Sequence, residues 1–141
     1  MMFQAGSGVM SSLLGLPYFL LYFAVGAAIM ALFIIVYIRV TPHDEFALIR
    51  QGNFTASIAL SGTIIGFAIP LSKALAQAVS IPDLLIWALA AFIIQLLIYG
   101  ILRLLMRDLT EMIETNMAAA GVLLAAGSIA SGMLNAAAMS L

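Results

Sequence analysis

Residues 16–38 read LPYFLLYFAVGAAIMALFIIVYI, twenty-three positions without a charge. At about 1.5 Å of rise per residue, a helix of that length crosses the roughly 30 Å hydrocarbon core of a bilayer. The rest of the chain agrees with this stretch. Of 141 residues, 65% are hydrophobic and 8% are charged, and the mean hydropathy is +1.23. Five Lys/Arg and six Asp/Glu cannot furnish the polar surface that a water-soluble domain needs, so the outside must face lipid. The N-terminus lacks the positive region of a signal peptide, and its first apolar run is too long for one. The run therefore reads as a retained helix, with residues 1–15 as a loose lead-in.

Three further spans follow. Residues 54–78 hold only Lys73 as a charge, 83–103 are uncharged between Asp83 and Arg103, and 117–141 hold none. Backbone polar groups in lipid must pair within their own segment, so each span is expected to be a helix. Arg39, Arg50, Arg103 and Arg107 flank the first and third connections, against Lys73 alone near the second. The positive-inside rule then places those two connections in the cytoplasm and both termini in the periplasm. Aromatic residues cluster at the span ends, Tyr18, Phe19, Tyr22, Phe23 and Trp87 outside and Tyr37 and Tyr99 inside, as two headgroup-level belts. There are no cysteines, which removes disulfides, thiol chemistry and cysteine-based metal sites. A net charge of -1 without a basic run gives no reason to expect nucleic acid.

The two halves resemble one another. Leu16-Pro17 and Ile81-Pro82 open spans one and three, Arg39 and Arg103 close them, and Asn53 and Asn116 precede spans two and four. The expected architecture is one all-α membrane domain over residues 1–141, with parallel two-helix repeats at about 16–78 and 81–141. Each cytoplasmic connection reads as a short amphipathic helix. Thr41, followed by Pro42, is a capping residue for the first, with Asp44 in the cap region. Asp108 can cap the second.

Span two carries Ala59, Gly62, Thr63 and Gly66 on one stripe, and span four carries Gly121, Ala125, Ser128 and Gly132. Small residues let membrane helices approach closely and gain van der Waals contact. Spans two and four are therefore expected at the bundle centre. Lys73 lies near the outer end of span two, where a lysine snorkels to water. It could share a polar pocket with Asn135 at similar depth. Gln95 lies mid-span, as a pore-lining amide or, on the simpler reading, an interhelical hydrogen bond. His43, Asp44, Glu45, Glu111 and Glu114 could be drawn as a metal or acid–base cluster. One histidine is too few for most such sites, and the acids have a capping explanation.

Several of these segments resemble a known family. Thr41-Pro42-His43-Asp44-Glu45, Ile49, Asn53, the run from Ala56 to Gly66, Ile69-Pro70-Leu71-Ser72 and Ser80-Ile81-Pro82-Asp83 are similar to the YjfL-like bacterial inner-membrane family, domain of unknown function number 350. Asn116, Ala119, Ala120, Gly121 and Asn135-Ala136-Ala137 extend the resemblance to almost the whole chain after residue 16. It implies a multi-pass inner (plasma) membrane protein of duplicated two-helix units. Some members are encoded near membrane-stress proteins and an ATP-grasp ligase. The resemblance carries over no catalytic residue, and Lys73 departs from the Ser or Ala expected after Pro-Leu-Ser.

No nucleophile motif, phosphate loop or zinc signature is present. The expectation is a non-enzymatic, cofactor-free bundle that self-associates as a structural or interaction subunit. The resemblance adds a cytoplasmic membrane-stress protein as a possible partner. The alternative is an oligomeric channel or transporter for a small ion or solute, with Lys73, Gln95 and Asn135 in its lining. Against it, no acidic residue lies at mid-membrane.

Overall fold

In the computed structural model, which describes residues 2–140, the described chain is all-helical. Four long helices, α1 (Met2–Val40), α3 (Phe54–Gln77), α4 (Ile81–Leu105) and α6 (Ala118–Ala138), are joined at one end by two short ones, α2 (Glu45–Arg50) and α5 (Leu109–Glu114). All four long helices are long and apolar enough to cross a membrane. The end that carries α2 and α5 is called the polar end below.

The first helix corrects the sequence reading. Residues 2–15 are not a loose lead-in but the opening turns of α1, which runs unbroken for 39 residues through Pro17. Gly6, Ser7, Gly8, Ser11 and Ser12 suggested irregular chain. The serines instead turn back onto their own helix, Ser11 donating to the Ser7 carbonyl at 2.9 Å and Ser12 to the Gly8 carbonyl at 3.0 Å. Local side-chain bonding of this kind is compatible with a helix when the surroundings are apolar.

Helices α3 and α6 form the central pair, and glycine sets how closely they approach. A Cβ on Gly62 would land on the backbone of Ala125, one on Gly66 on the Ser128 carbonyl, and one on Gly132 on the Gly66 carbonyl. On Gly121 it would stand 2.7 Å from the Thr55 carbonyl oxygen. The two expected small-residue stripes therefore face each other within a single chain. Helices α1 and α4 close around this pair through an aromatic knot. Phe33 stacks on Phe67 with centroids 4.2 Å apart, and Phe92 meets Phe33 edge-on at 5.1 Å. Tyr37 and Tyr99 are a second correction. They are not headgroup anchors but buried core residues, 1% and 2% exposed, packed edge to face at 5.4 Å.

The two short helices end alike. Gly52 N–H bonds to the Ile49 carbonyl and Asn53 N–H to that of Leu48, while Asn116 N–H bonds to Ile113 and Met117 N–H to Met112. Both are Schellman endings, in which a residue with positive φ terminates the helix. That residue is Gly52 at φ 84° in one and Asn116 at φ 61° in the other. The corresponding positions are thus Gly52 with Asn116 and Asn53 with Met117, one step off the match of Asn53 with Asn116 that the sequence suggests.

Asn116 uses its left-handed turn to reach across the bundle. Its Oδ1 accepts from the Thr55 backbone N–H at 3.0 Å and from the Thr55 hydroxyl at 2.9 Å. Asn53 caps its own helix through Ala56 N–H at 2.9 Å and donates from Nδ2 to the Ile113 carbonyl at 2.8 Å. The start of α3 is thus tied twice to the end of α5. Replacing Asn116 by glycine keeps the turn and removes two hydrogen bonds, an expected loss of about 2 kcal/mol. Alanine adds left-handed strain of about 1 kcal/mol. Unfolding midpoints in detergent should therefore fall in the order Asn116, Gly, Ala.

Candidate functional site

The small-residue positions Ala59, Gly62, Thr63, Gly66, Gly121, Ala125, Ser128 and Gly132 all lie along the α3–α6 seam or beside it. Thr63 donates back to the Ala59 carbonyl at 3.0 Å and its hydroxyl lies 3.5 Å from that of Ser128. Pro70 explains the next contact. A proline has no N–H, so the Gly66 carbonyl one turn earlier loses its intrahelical donor. Gln95 on α4 supplies another, its Nε2 donating to the Gly66 carbonyl at 3.2 Å. Gln95 is 2% exposed, and its position is that of a helix–helix hydrogen bond. Gln95→Leu is expected to cost about 1 kcal/mol. The cost should shrink in a Pro70→Ala background, where the backbone can bond Gly66 for itself. A double-mutant cycle on unfolding free energy measures the coupling.

Among the described residues no hydrogen bond or ion pair joins Lys73 to Asn135. Asn135 is buried, with Nδ2 facing the Ala91 carbonyl of α4 at 3.5 Å. Lys73 is only partly exposed, on α3.

At the polar end the capping expectations separate. Asp44 caps α2, accepting from Ala47 N–H at 3.1 Å. Thr41 does not cap it, because α2 begins at Glu45 and not at Pro42. Its hydroxyl turns back to the Ile38 carbonyl at 3.3 Å and finishes α1 instead. Asp108 holds the cap position of α5 without a side-chain hydrogen bond.

Beneath these caps His43 and Glu45 meet, part of a grouping that the sequence suggests but that a single histidine and a capping role for the acids argue against. Glu45 is not the cap of α2. It is 1% exposed and turned inward, its Oε1 3.3 Å from Nε2 of His43, itself 4% exposed. The contact is an ion-pair approach without hydrogen-bond alignment, and among the described residues the His43 Nδ1 and the Glu45 Oε2 are buried without partners. Buried polar atoms are normally satisfied, so such a group is a candidate site. Tyr37 and Tyr99 belong to the core cluster against which Leu48 and Ile49 of α2 pack, the helix that Glu45 opens. A surface cleft lined by Arg39, Thr41, Pro42 and Asp44 has His43 and Glu45 in its wall. Among the described residues no three His, Asp or Glu side chains gather as a metal site would require.

One signal in the sequence pointed to this arrangement. Glu45 falls at helical spacing with Leu48 and Ile49, on the apolar stripe of α2. The corresponding residue of α5 is Leu109, which is 1% exposed. The first residue of α2 is thus a buried carboxylate, and the first residue of α5 a buried leucine.

Comparison with known proteins bears on the whole chain. The family model described as Domain of Unknown Function (DUF350) matches residues 10–139. The chain is 44% identical over 118 residues to the UPF0719 inner membrane protein YjfL of Escherichia coli K12, which covers 84% of this chain and 89% of that protein. The protein of the same name from Escherichia coli O157:H7 matches to the same extent. No solved structure matches.

Proposed function

The chain belongs to the DUF350 family, and from that premise we propose a multi-pass inner-membrane subunit, non-enzymatic, that works by associating with copies of itself. The observation that carries this reading is the bare outer half of α1. Every residue from Ala5 to Leu21 is exposed, and a Cβ on Gly6, Gly8 or Gly15 would meet nothing within 4 Å. Gly26 lies against Leu75 near the end of α3, so the turns before it project past the central pair for roughly 30 Å. Val9, Met10, Leu13, Leu14 and Leu16 stand out on that projection. These turns have no helix of the same chain beside them, so lipid or a second copy must cover them.

A second copy supplies cover of matching chemistry, with Gly8, Ser12 and Gly15 at the spacing that admits close helix approach. The sequence reading put the small-residue faces of spans two and four at the bundle centre. Those faces are spent within the chain, which moves the proposed contact to α1. The same burial weighs against a channel through one subunit, because Gln95 and Asn135 face backbone carbonyls of neighbouring helices.

In this reading the polar end is cytoplasmic, where Phe46 of α2, 44% exposed, offers a docking surface for a membrane-stress partner. Both termini are periplasmic, which reporter fusions at the C-terminus test. Because the chain has no cysteine, single cysteines at Gly8, Ser12 and Leu104 test the contact in native membranes. Disulfide dimers are expected at the first two positions and none at Leu104. Monomer alone at every position of α1 would sink the proposal.

A further inference from the structure

The last two turns of α4 present an outward groove of about 600 Å³ whose walls include Leu97, Gly100, Ile101 and Leu104, with Arg103 and Arg107 at its rim. Leu97, Ile101 and Leu104 are 58%, 51% and 79% exposed, and a Cβ on Gly100 would meet nothing within 4 Å. The floor is therefore apolar and notched at Gly100. Helix α4 stops at Leu105, and Met106 leaves helical geometry with φ −120° and ψ 87°. Arg103 lies in the last turn of α4 and the break carries the chain off the helix before Arg107, so both arginines stand near the span's end. Both are exposed, no carboxylate is among the groove's lining residues, and no ion pair to either is found among the described residues.

Apolar walls ending at two unpaired cations match one class of molecule, an acyl chain attached to an anionic headgroup. We infer that this groove binds an anionic phospholipid, with its phosphate between Arg103 and Arg107 and one acyl chain along Leu97, Gly100 and Ile101. Guanidinium groups suit phosphate oxygens because their fork of N–H donors can pair with two at once. The absence of a carboxylate on the lining matters as much. An arginine already paired would gain little by exchanging one anion for another. If the polar end is cytoplasmic, as proposed above, the lipid belongs to the inner leaflet. The binding itself does not depend on that orientation.

The test is native mass spectrometry of the full chain, released from detergent with equal amounts of phosphatidylglycerol and phosphatidylcholine. The wild type is expected to retain phosphatidylglycerol in preference. Each interfacial arginine is worth about fivefold toward an anionic surface, so Arg103→Gln with Arg107→Gln should cut the preference about twenty-five-fold. Gly100→Leu, which fills the notch, should lower retention of phosphatidylglycerol while leaving the unfolding midpoint unchanged. Arg39→Gln with Arg50→Gln, the same change of charge elsewhere at the polar end, should leave the preference in place. Equal retention of both lipids by the wild type, or equal loss in the two arginine pairs, overturns the site. Neither result touches the cysteine crosslinks that test self-association.

Discussion

Gly132→Leu is expected to unfold much of the protein under conditions in which the wild type is stable. A membrane bundle has no hydrophobic effect between its helices to fall back on, because lipid is as apolar as leucine. The α3–α6 pair is held by contact at close range, and Gly132 is where contact is closest. Its missing Cβ would occupy the position of the Gly66 carbonyl, which is backbone and cannot rotate aside. The same carbonyl is the acceptor for Gln95, so forcing the helices apart also strains a buried hydrogen bond. Overpacking into a filled core costs about 1–3 kcal/mol, and a clash with backbone belongs at the upper end or beyond. Gly100→Leu, in open space, should stay near the wild-type value and serves as the control for glycine replacement in general. Thermal unfolding in detergent compares the two. Equal midpoints for both variants would mean that the seam tolerates separation.

The second large effect is expected at His43 and Glu45, where single and double replacements should have opposite outcomes. Removing one partner leaves the other buried and uncompensated, a loss of about 3–5 kcal/mol. His43→Leu alone and Glu45→Leu alone should both be strongly destabilised. Replacing a buried pair with apolar residues is often neutral or favourable. Leucine is a fitting replacement, since Leu109, the first residue of the other short helix, is 1% exposed. The double variant should therefore recover at least wild-type stability. Recovery would show that the pair is not there to hold the fold together, and its role would then lie in what reaches the cleft beside Arg39 and Asp44. A double variant no more stable than the singles would make the pair a structural tie. Urea or SDS unfolding of the four proteins decides the matter.

How far the site was legible can be followed residue by residue. Gln95 was readable as an interhelical amide because a lone polar group in a span has few alternatives. Its partner was not readable. The Gly66 carbonyl becomes available through Pro70 on the same helix, but only the packing of α4 against α3 brings Gln95 to it. Thr41 was misplaced because a threonine before proline fits a helix start as well as a helix end. The choice between them depends on where the chain turns. Glu45 was given a local explanation, capping, when its place on the stripe of Leu48 and Ile49 already pointed inward. Tyr37 and Tyr99 were assigned to a headgroup belt by depth alone, and depth does not tell which way a ring faces.

Four membrane spans, their small-residue stripes and the two polar connections follow from the order of residues alone. Each follows from terms that act along the chain: transfer of side chains to lipid, the need to satisfy the backbone within one segment, and helical periodicity. Only the tertiary structure decided that the glycine stripes of α3 and α6 consume one another, leaving the outer turns of α1 bare. It also decided that His43 and Glu45 meet in the interior. Those outcomes depend on which surfaces face each other. In a bundle whose helices are almost uniformly apolar, hydrophobicity does not rank the possible pairings. Close contact between backbones does, and that depends on shape in three dimensions.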